Sequence, residues 1–167
     1  MSRLKSIGKI LSWVALTITV WAAFDIWIHD YGIMPYYKYG IIESARDAYL
    51  YGFWSFAVLN IVVITIITKA WRYLASLMLL MVSGAEDVMY YVLLPILNPV
   101  RAVRLGEFMP DKLPWLNDNL WLKLLSGGDI VTKQGIGLAL LAGLMMTVVL
   151  LALSYQNKLD LKDKEVK

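Results

Sequence analysis

The sequence predicts an all-α integral membrane protein, an antiparallel four-helix bundle with a short interfacial helix in the loop between helices three and four. Hydrophobic residues make up 59% of the 167 residues and charged residues only 17%, which is less charge than a soluble domain carries. Four apolar stretches are long enough to cross the hydrocarbon core of a bilayer, which needs about 20 helical residues. Polar or Gly- and Pro-containing segments separate these stretches. We therefore expect a single transmembrane domain over residues 1–167.

The first two spans are predicted at about residues 10–29 and 44–68. The connection between them contains glycine, proline and four tyrosines, which suits the headgroup region of a membrane. The second span has no charged residue between Ala48 and Thr68. A very short turn at Lys69 follows, so the second and third spans are expected to be antiparallel neighbours.

The third span is predicted at about residues 72–97, where the Asn98-Pro99 pair ends it. The following loop, residues 98–130, is mixed in composition. Within it, Leu116–Leu125 predicts a short helix that lies in the membrane interface with its apolar side inward. The fourth span is predicted at about residues 130–155. The tail, 156–167, alternates lysine with acidic residues and is expected to be solvated.

The distribution of basic residues predicts the orientation in the membrane. Four spans place both termini on one side. The turn between spans two and three lies on the same side as the termini. The two terminal segments and this turn together hold nine of the 16 Lys and Arg residues. Because cytoplasmic segments carry the excess of positive charge, we expect a multi-pass protein of the cell membrane with cytoplasmic N- and C-termini.

The composition also excludes several classes of site. The chain contains no cysteine, which rules out thiolate nucleophiles and thiolate metal ligands, and it contains a single histidine. The net charge of +3 is modest and the basic residues form no long block, so nucleic acid is not an expected partner. The expected partners are membrane lipid and, in addition, other membrane subunits or further copies of the chain.

Six ionisable side chains are expected in the outer half of the bundle, within a few helical turns of each other. At about 1.5 Å rise per residue, Asp25 lies about 24 Å outward of Lys9, and Glu86 lies about 21 Å outward of Arg72. In the first span Asp25 and His29 are four residues apart and therefore share one helical face. Glu43 and Asp47 have the same spacing at the start of the second span. The set comprises Asp25, His29, Glu43, Asp47, Glu86 and Asp87.

Carboxylates in this number predict a divalent metal site. Hard ions such as Mg²⁺, Mn²⁺ or Ca²⁺ suit oxygen ligands, and Zn²⁺ held by His29 and two carboxylates is a further possibility. A metal there would polarise a phosphoryl or acyl group and activate water. We therefore predict a metal-dependent enzyme acting on a lipid-like substrate. Glu86 and Asp87 are its candidate catalytic residues, and Tyr90 or Tyr91 would orient the substrate.

Three other interpretations remain open at this point. The chain is a non-enzymatic subunit of a larger membrane complex, or a small ion or proton transporter in which Glu86 and Asp87 relay charge. Alternatively the acids serve only helix packing, with Asp25 paired to His29. The small residues Gly135, Ala139 and Gly143 predict close approach of another helix, and packing within the bundle is favoured over dimerisation.

Overall fold

The computed structural model describes residues 3–40, 55–106, 108–113, 116–117, 119–128 and 130–165. This part of the chain is helical apart from loops and one isolated antiparallel bridge between Lys112 and Thr132. The predicted all-α class is therefore confirmed for it. In chain order the elements are α1 (Arg3–Trp27), a π-helical turn (Ile28–Ile33), α2 (Met34–Lys38), α3 (Ser55–Thr68), α4 (Trp71–Val82), α5 (Ala85–Leu97), α6 (Pro99–Leu105), α7 (Leu120–Ser126) and α8 (Lys133–Glu165).

Two or three of these helical segments can cross a membrane. Leu4–Tyr31 and Lys133–Tyr155 are each long and apolar enough, and α4 and α5 together meet the same test but meet at an angle of 72°. The chain is thus a helical protein with the composition of a membrane protein. The predicted second span lies partly outside the described residues, which include its C-terminal part as α3.

The link from α3 to α4 is as short as the sequence predicts. Lys69 and Ala70 alone separate the two helices. Lys69 has a φ of 53°, the left-handed conformation that ends a helix sharply. The two helices therefore follow one another directly and contact each other.

The predicted third helix, residues 72–97, is divided into two at Ser83 and Gly84. Gly84 has φ 80° and ψ 20°, a conformation that favours glycine because it has no Cβ. The Val82 carbonyl accepts a hydrogen bond from Asn119 Nδ2 at 3.0 Å, which partly replaces the helical bond lost at the break. Ile136 lies 3.2 Å from the place of a Cβ at Gly84. The structure thus corrects the prediction of one continuous helix here.

The loop after α6 contains the predicted short helix, shifted to Leu120–Ser126. Asn119 caps its start, because its Oδ1 accepts from the backbone N–H groups of Trp121 and Leu122. Thr132 caps α8 through a hydrogen bond from Gly135 N to its Oγ1. Helix α8 continues to Glu165, so most of the predicted tail extends the fourth helix.

The small residues of α8 pack inside the chain. A Cβ at Gly143 would lie 2.7 Å from Ser83 Cβ, and one at Gly135 would lie 2.8 Å from Ser126 Cα. Such distances allow no side chain, so these glycines permit close approach of α4 and α7 to α8. The predicted small-residue face therefore serves packing within the chain.

Two buried apolar clusters meet at the helix break. One is formed mainly by α1, α3 and α4 and includes Val14, Ile18, Ile61, Leu77, Leu80 and Ala85. The other is formed around α5, α7, α8 and the loop, and includes Ile26, Tyr91, Leu94, Met109, Leu113, Leu122, Val131, Ile136 and Ala139. Ala85 directly precedes Glu86, and Ile26 directly follows Asp25. The acidic residues consequently lie where the two clusters adjoin.

Candidate functional site

The helix break places acidic residues of two helices next to each other. Asp25 lies near the C-terminal end of α1, and Glu86 and Asp87 lie in the first turn of α5. Helices α1 and α5 pack together, and the Asp25 and Glu86 carboxyl groups lie within hydrogen-bonding reach of each other. Asp87 interacts electrostatically with Asp25 and with Glu86. We refer to Asp25, Glu86 and Asp87 as the carboxyl cluster.

Two members of the carboxyl cluster are almost fully buried. Asp25 is 8% exposed and Glu86 is 6% exposed, whereas Asp87 is partly exposed. Within the described part of the chain, the Oε1 atom of Glu86 makes no hydrogen bond. Carboxylates only accept hydrogen bonds, so a hydrogen bond between Asp25 and Glu86 would require a proton on one of the two groups. The cluster therefore has both a place for a proton and an oxygen atom with unused lone pairs.

The start of α5 offers the cluster partial electrostatic compensation. The first N–H groups of a helix have no intrahelical partner, and the helix dipole favours negative charge there by about 0.3–1 kcal/mol per group. Glu86 and Asp87 are the acidic residues of that first turn. This contribution is small beside the cost of several kcal/mol for burying an ion. The start of α5 therefore offsets only part of the cost of burying charge in the carboxyl cluster.

His29 makes its described contacts in a second polar cluster. Its Nδ1 atom lies 2.9 Å from Asp30 Oδ1 and also 2.9 Å from Arg101 Nη1. Arg101 itself forms an ion pair with Asp30, and Asn98 Nδ2 donates to Asp30 Oδ2 at 2.7 Å. The Nδ1 atom can donate to Asp30 or accept from Arg101, but it cannot do both. In either case Asp30 is the centre of this cluster.

The predicted helical face of Asp25 and His29 assumed an α-helix through both residues. The structure changes to a π-helical turn at Ile28, which contains His29 and Asp30. A π-helix closes its hydrogen bonds over five residues instead of four, so the rotation per residue changes within this turn. Short π-helical turns are frequent at functional sites. No pattern in the sequence signals this turn.

Sequence reasoning missed Asp30, Asn98 and Arg101. A signal existed for Asn98, because an asparagine before a proline is a typical helix start. The structure confirms this cap, since Asn98 Oδ1 accepts from Arg101 N at 3.1 Å. The same asparagine then reaches Asp30, 68 residues earlier in the chain. Only the packing of α6 against the π-helical turn reveals that contact.

Tyr90 lies between the two polar clusters. The Arg101 guanidinium carbon is 5.8 Å from the centre of its ring, and Tyr90 also interacts with Asp25 and Asp30. Tyr91 packs edge-on against it, with ring centres 5.3 Å apart, and belongs to the buried core. Tyr91 also interacts electrostatically with Asp87 and Arg101, so both predicted orienting tyrosines lie near the polar groups, and Tyr90 is the one whose ring faces the Arg101 guanidinium group.

The remaining predicted ligands, Glu43 and Asp47, lie outside the described residues. Among the residues that the structure does describe, no group of three or more His, Asp or Glu side chains has the geometry of a metal site. The oxygen donors of the carboxyl cluster nevertheless suit a hard cation, because Glu86 Oε1 is buried and makes no hydrogen bond to any described residue. The metal therefore stays a prediction.

No known protein family, no characterised protein and no solved structure matches the chain. Neither an activity nor a substrate is therefore suggested by similarity. The function has to be inferred from the carboxyl cluster and its surroundings.

Proposed function

We propose that the chain is a multi-pass membrane protein that binds a cation, a proton or a divalent metal ion, at the carboxyl cluster. The observation that supports this most directly is Glu86, which is buried beside Asp25 and has one oxygen that makes no hydrogen bond to any described residue. Ionisable side chains inside a membrane are costly and typically mark ion or proton sites. A proton would allow a hydrogen bond between Asp25 and Glu86 directly, so it is the first occupant we propose.

The proposed architecture is the antiparallel four-helix bundle, with the broken α4–α5 pair as one span. Arg72, at the start of α4, donates to the Ser154 hydroxyl at 2.9 Å and to the Ser154 carbonyl at 2.6 Å, near the far end of the span in α8. Ser83, at the end of α4, lies beside Gly143. These contacts support opposite directions for α4 and α8. Four spans then leave both termini on one side, which the basic residues assign to the cytoplasm.

The broken helix supports a cation site within the membrane. Membrane proteins tolerate irregular backbone at depth where it is buried in protein or lines a cavity, and discontinuous helices often supply ion-binding groups. Here the break lies immediately before Glu86 and Asp87. In this proposal Asp25 and Glu86 hold the shared proton, and the partly exposed Asp87 exchanges it with water.

The second candidate function is the metal-dependent enzyme acting on a lipid-like substrate. Asp87 favours it, because this carboxyl is partly exposed and precedes Val88, which lines an open groove. A bound divalent ion would supply Lewis-acid chemistry, Asp87 would act as the base, and Tyr90 would orient the substrate. The non-enzymatic subunit has less support, because the small-residue face expected to dock a partner is filled within the chain.

Infrared spectroscopy of the protein in lipid nanodiscs tests the first proposal. Glu86→Gln can donate a hydrogen bond to Asp25 without a shared proton, because an amide donates through its own N–H group. We expect the band of a protonated carboxyl group in the unmodified protein and its loss in this variant. Asp111→Asn, which alters an exposed acid that is paired with Lys133 and is not a member of the cluster, is the matched control and should keep the band.

Equilibrium dialysis with Mn²⁺ and Ca²⁺ distinguishes the two cations. Stoichiometric binding that is lost in Asp87→Asn but kept in Asp111→Asn would identify a metal site and favour the second candidate. A protonated-carboxyl band without metal binding would favour the proton. If the unmodified protein shows neither the band nor bound metal, the proposal of a cation site is wrong.

A further inference from the structure

An open groove lies between the start of α5 and the first turns of α8. Its volume is about 630 Å³, within the range of about 300–1,000 Å³ in which small-molecule sites fall. One residue of α5, two of the loop after α6 and three of α8 line it. These residues are Val88, Phe108, Met109, Lys133, Gly137 and Leu140.

The groove depends on one glycine of α8. Lys133, Gly137 and Leu140 follow the spacing of a single helical face. A Cβ at Gly137 would meet no atom within 4 Å, whereas Gly135 and Gly143 of the same helix are filled by neighbouring serines. Gly137 thus leaves an open space on the helix surface. The surrounding Val88 and Leu140 side chains make that space apolar.

The groove combines apolar walls with one cationic side chain. It lies at the N-terminal end of the candidate span Lys133–Tyr155, where a basic residue anchors a helix at the headgroup level. Lys133 forms an ion pair with Asp111, but both side chains are exposed, at 42% and 69%. Exposed ion pairs contribute little to stability, so the pair with Asp111 constrains the Lys133 ammonium group only weakly.

We propose that this groove binds a membrane phospholipid, with an acyl chain along Gly137 and Leu140 and the phosphate at Lys133. The phosphate complements the charge of Lys133, and the acyl chain suits the apolar walls. A bound lipid would lie beside the carboxyl cluster, because Val88 directly follows Asp87. The proposal does not depend on which cation the cluster binds.

The acyl-chain part is tested by filling the groove. Gly137→Leu places a side chain where the lipid would lie. The leucine side chain would remove packing contacts between the acyl chain and the groove, so we expect this variant to retain less lipid than the unmodified protein. Gly8→Leu is the matched control, because a Cβ at Gly8, in the other candidate span, also meets no atom within 4 Å. Native mass spectrometry of the protein purified in mild detergent counts the lipids retained by each variant.

The headgroup part has its own test. Nanodiscs containing phosphatidylglycerol and phosphatidylcholine in equal amounts report which lipid is retained after extraction. We expect Lys133→Gln to lose a preference for phosphatidylglycerol that Lys112→Gln keeps, because Lys112 is exposed in the same loop but does not line the groove.

The outcomes separate a specific site from lipids that merely surround the spans. Retention of one lipid by the unmodified protein and by Gly8→Leu, with loss in Gly137→Leu, supports the proposal. Equal retention in Gly137→Leu, equal loss in both leucine variants, or no retained lipid in the unmodified protein overturns it. An unaltered preference in Lys133→Gln overturns the assignment of the phosphate.

Discussion

Replacing Gly143 with alanine should destabilise the protein, whereas replacing Gly137 with alanine should stabilise it. Both residues lie in α8, and the substitution is the same. At Gly143 the new methyl group would lie 2.7 Å from Ser83 Cβ and 3.4 Å from the Leu79 carbonyl oxygen. At Gly137 it would meet nothing within 4 Å. The two variants therefore differ only in whether α4 has to move away from α8.

The expected magnitudes follow from overpacking and from helix propensity. Inserting a methyl group into a filled contact costs about 1–3 kcal/mol, because side chains and backbone have to shift. Alanine in place of glycine in an open helical position gains about 1 kcal/mol. We therefore expect the free energies of unfolding of Gly143→Ala and Gly137→Ala to differ by about 2–4 kcal/mol.

Unfolding by sodium dodecyl sulfate in mixed micelles, followed by circular dichroism, measures this difference. Ser83→Gly removes both the Cβ and the hydroxyl that oppose Gly143, so the double variant should recover part of the loss. A coupling energy of about 0.5–3 kcal/mol is expected from the double-mutant cycle. If Gly143→Ala is as stable as Gly137→Ala, α4 does not pack on α8 at this position, and the description of the break is wrong.

Two further predictions concern the polar contacts around the site. Asn119→Ala should lower the free energy of unfolding by about 1–2 kcal/mol in the same assay, because it removes the α7 cap and the bond to the Val82 carbonyl. Lys123→Ala on the same helix is its control, and an equal effect of the two would contradict the assignment. Arg101→Gln should cost about 1–3 kcal/mol, because Asp30, whose side chain is only 11% exposed, loses its cation. The exposed Arg104→Gln should change little, and an Arg101→Gln variant as stable as Arg104→Gln would show that Asp30 does not depend on this pair.

The sequence alone could predict a helical membrane protein, because that class depends on the length and the composition of the apolar stretches. An apolar run of about 20 residues has few alternatives to a span, whatever its neighbours are. The break at Gly84 is different, since glycine is tolerated within helices and the left-handed conformation depends on tertiary contacts. Asn119 and Ile136, which lie beside Gly84, come from distant parts of the chain. No local pattern contains that information.

The candidate site could be predicted only in part, for the same reason. The number of residues along a helix gives the depth of a side chain in the membrane. This count placed Asp25 near the level of Glu86, and in the structure the two carboxyl groups interact. The direction in which a side chain points around the helix axis cannot be counted in the same way, because the sequence does not predict the π-helical turn that changes the rotation per residue. His29 therefore has contacts that the spacing did not indicate, with Asp30 and with Arg101 of α6. Whether the acids bind a metal stays a prediction.

The helix break and the carboxyl cluster depend on each other. In a continuous helix, the N–H groups near Glu86 and Asp87 would bond to carbonyls one turn earlier and would not be available to the acids. The break at Gly84 begins a new helix at Ala85, so these acids occupy a first turn with free N–H groups. The bend of 72° also changes the direction of the chain just before α5, which packs on α1 beside Asp25. Contacts that hold the break, such as that of Asn119 with Val82, therefore also hold the geometry of the buried acids.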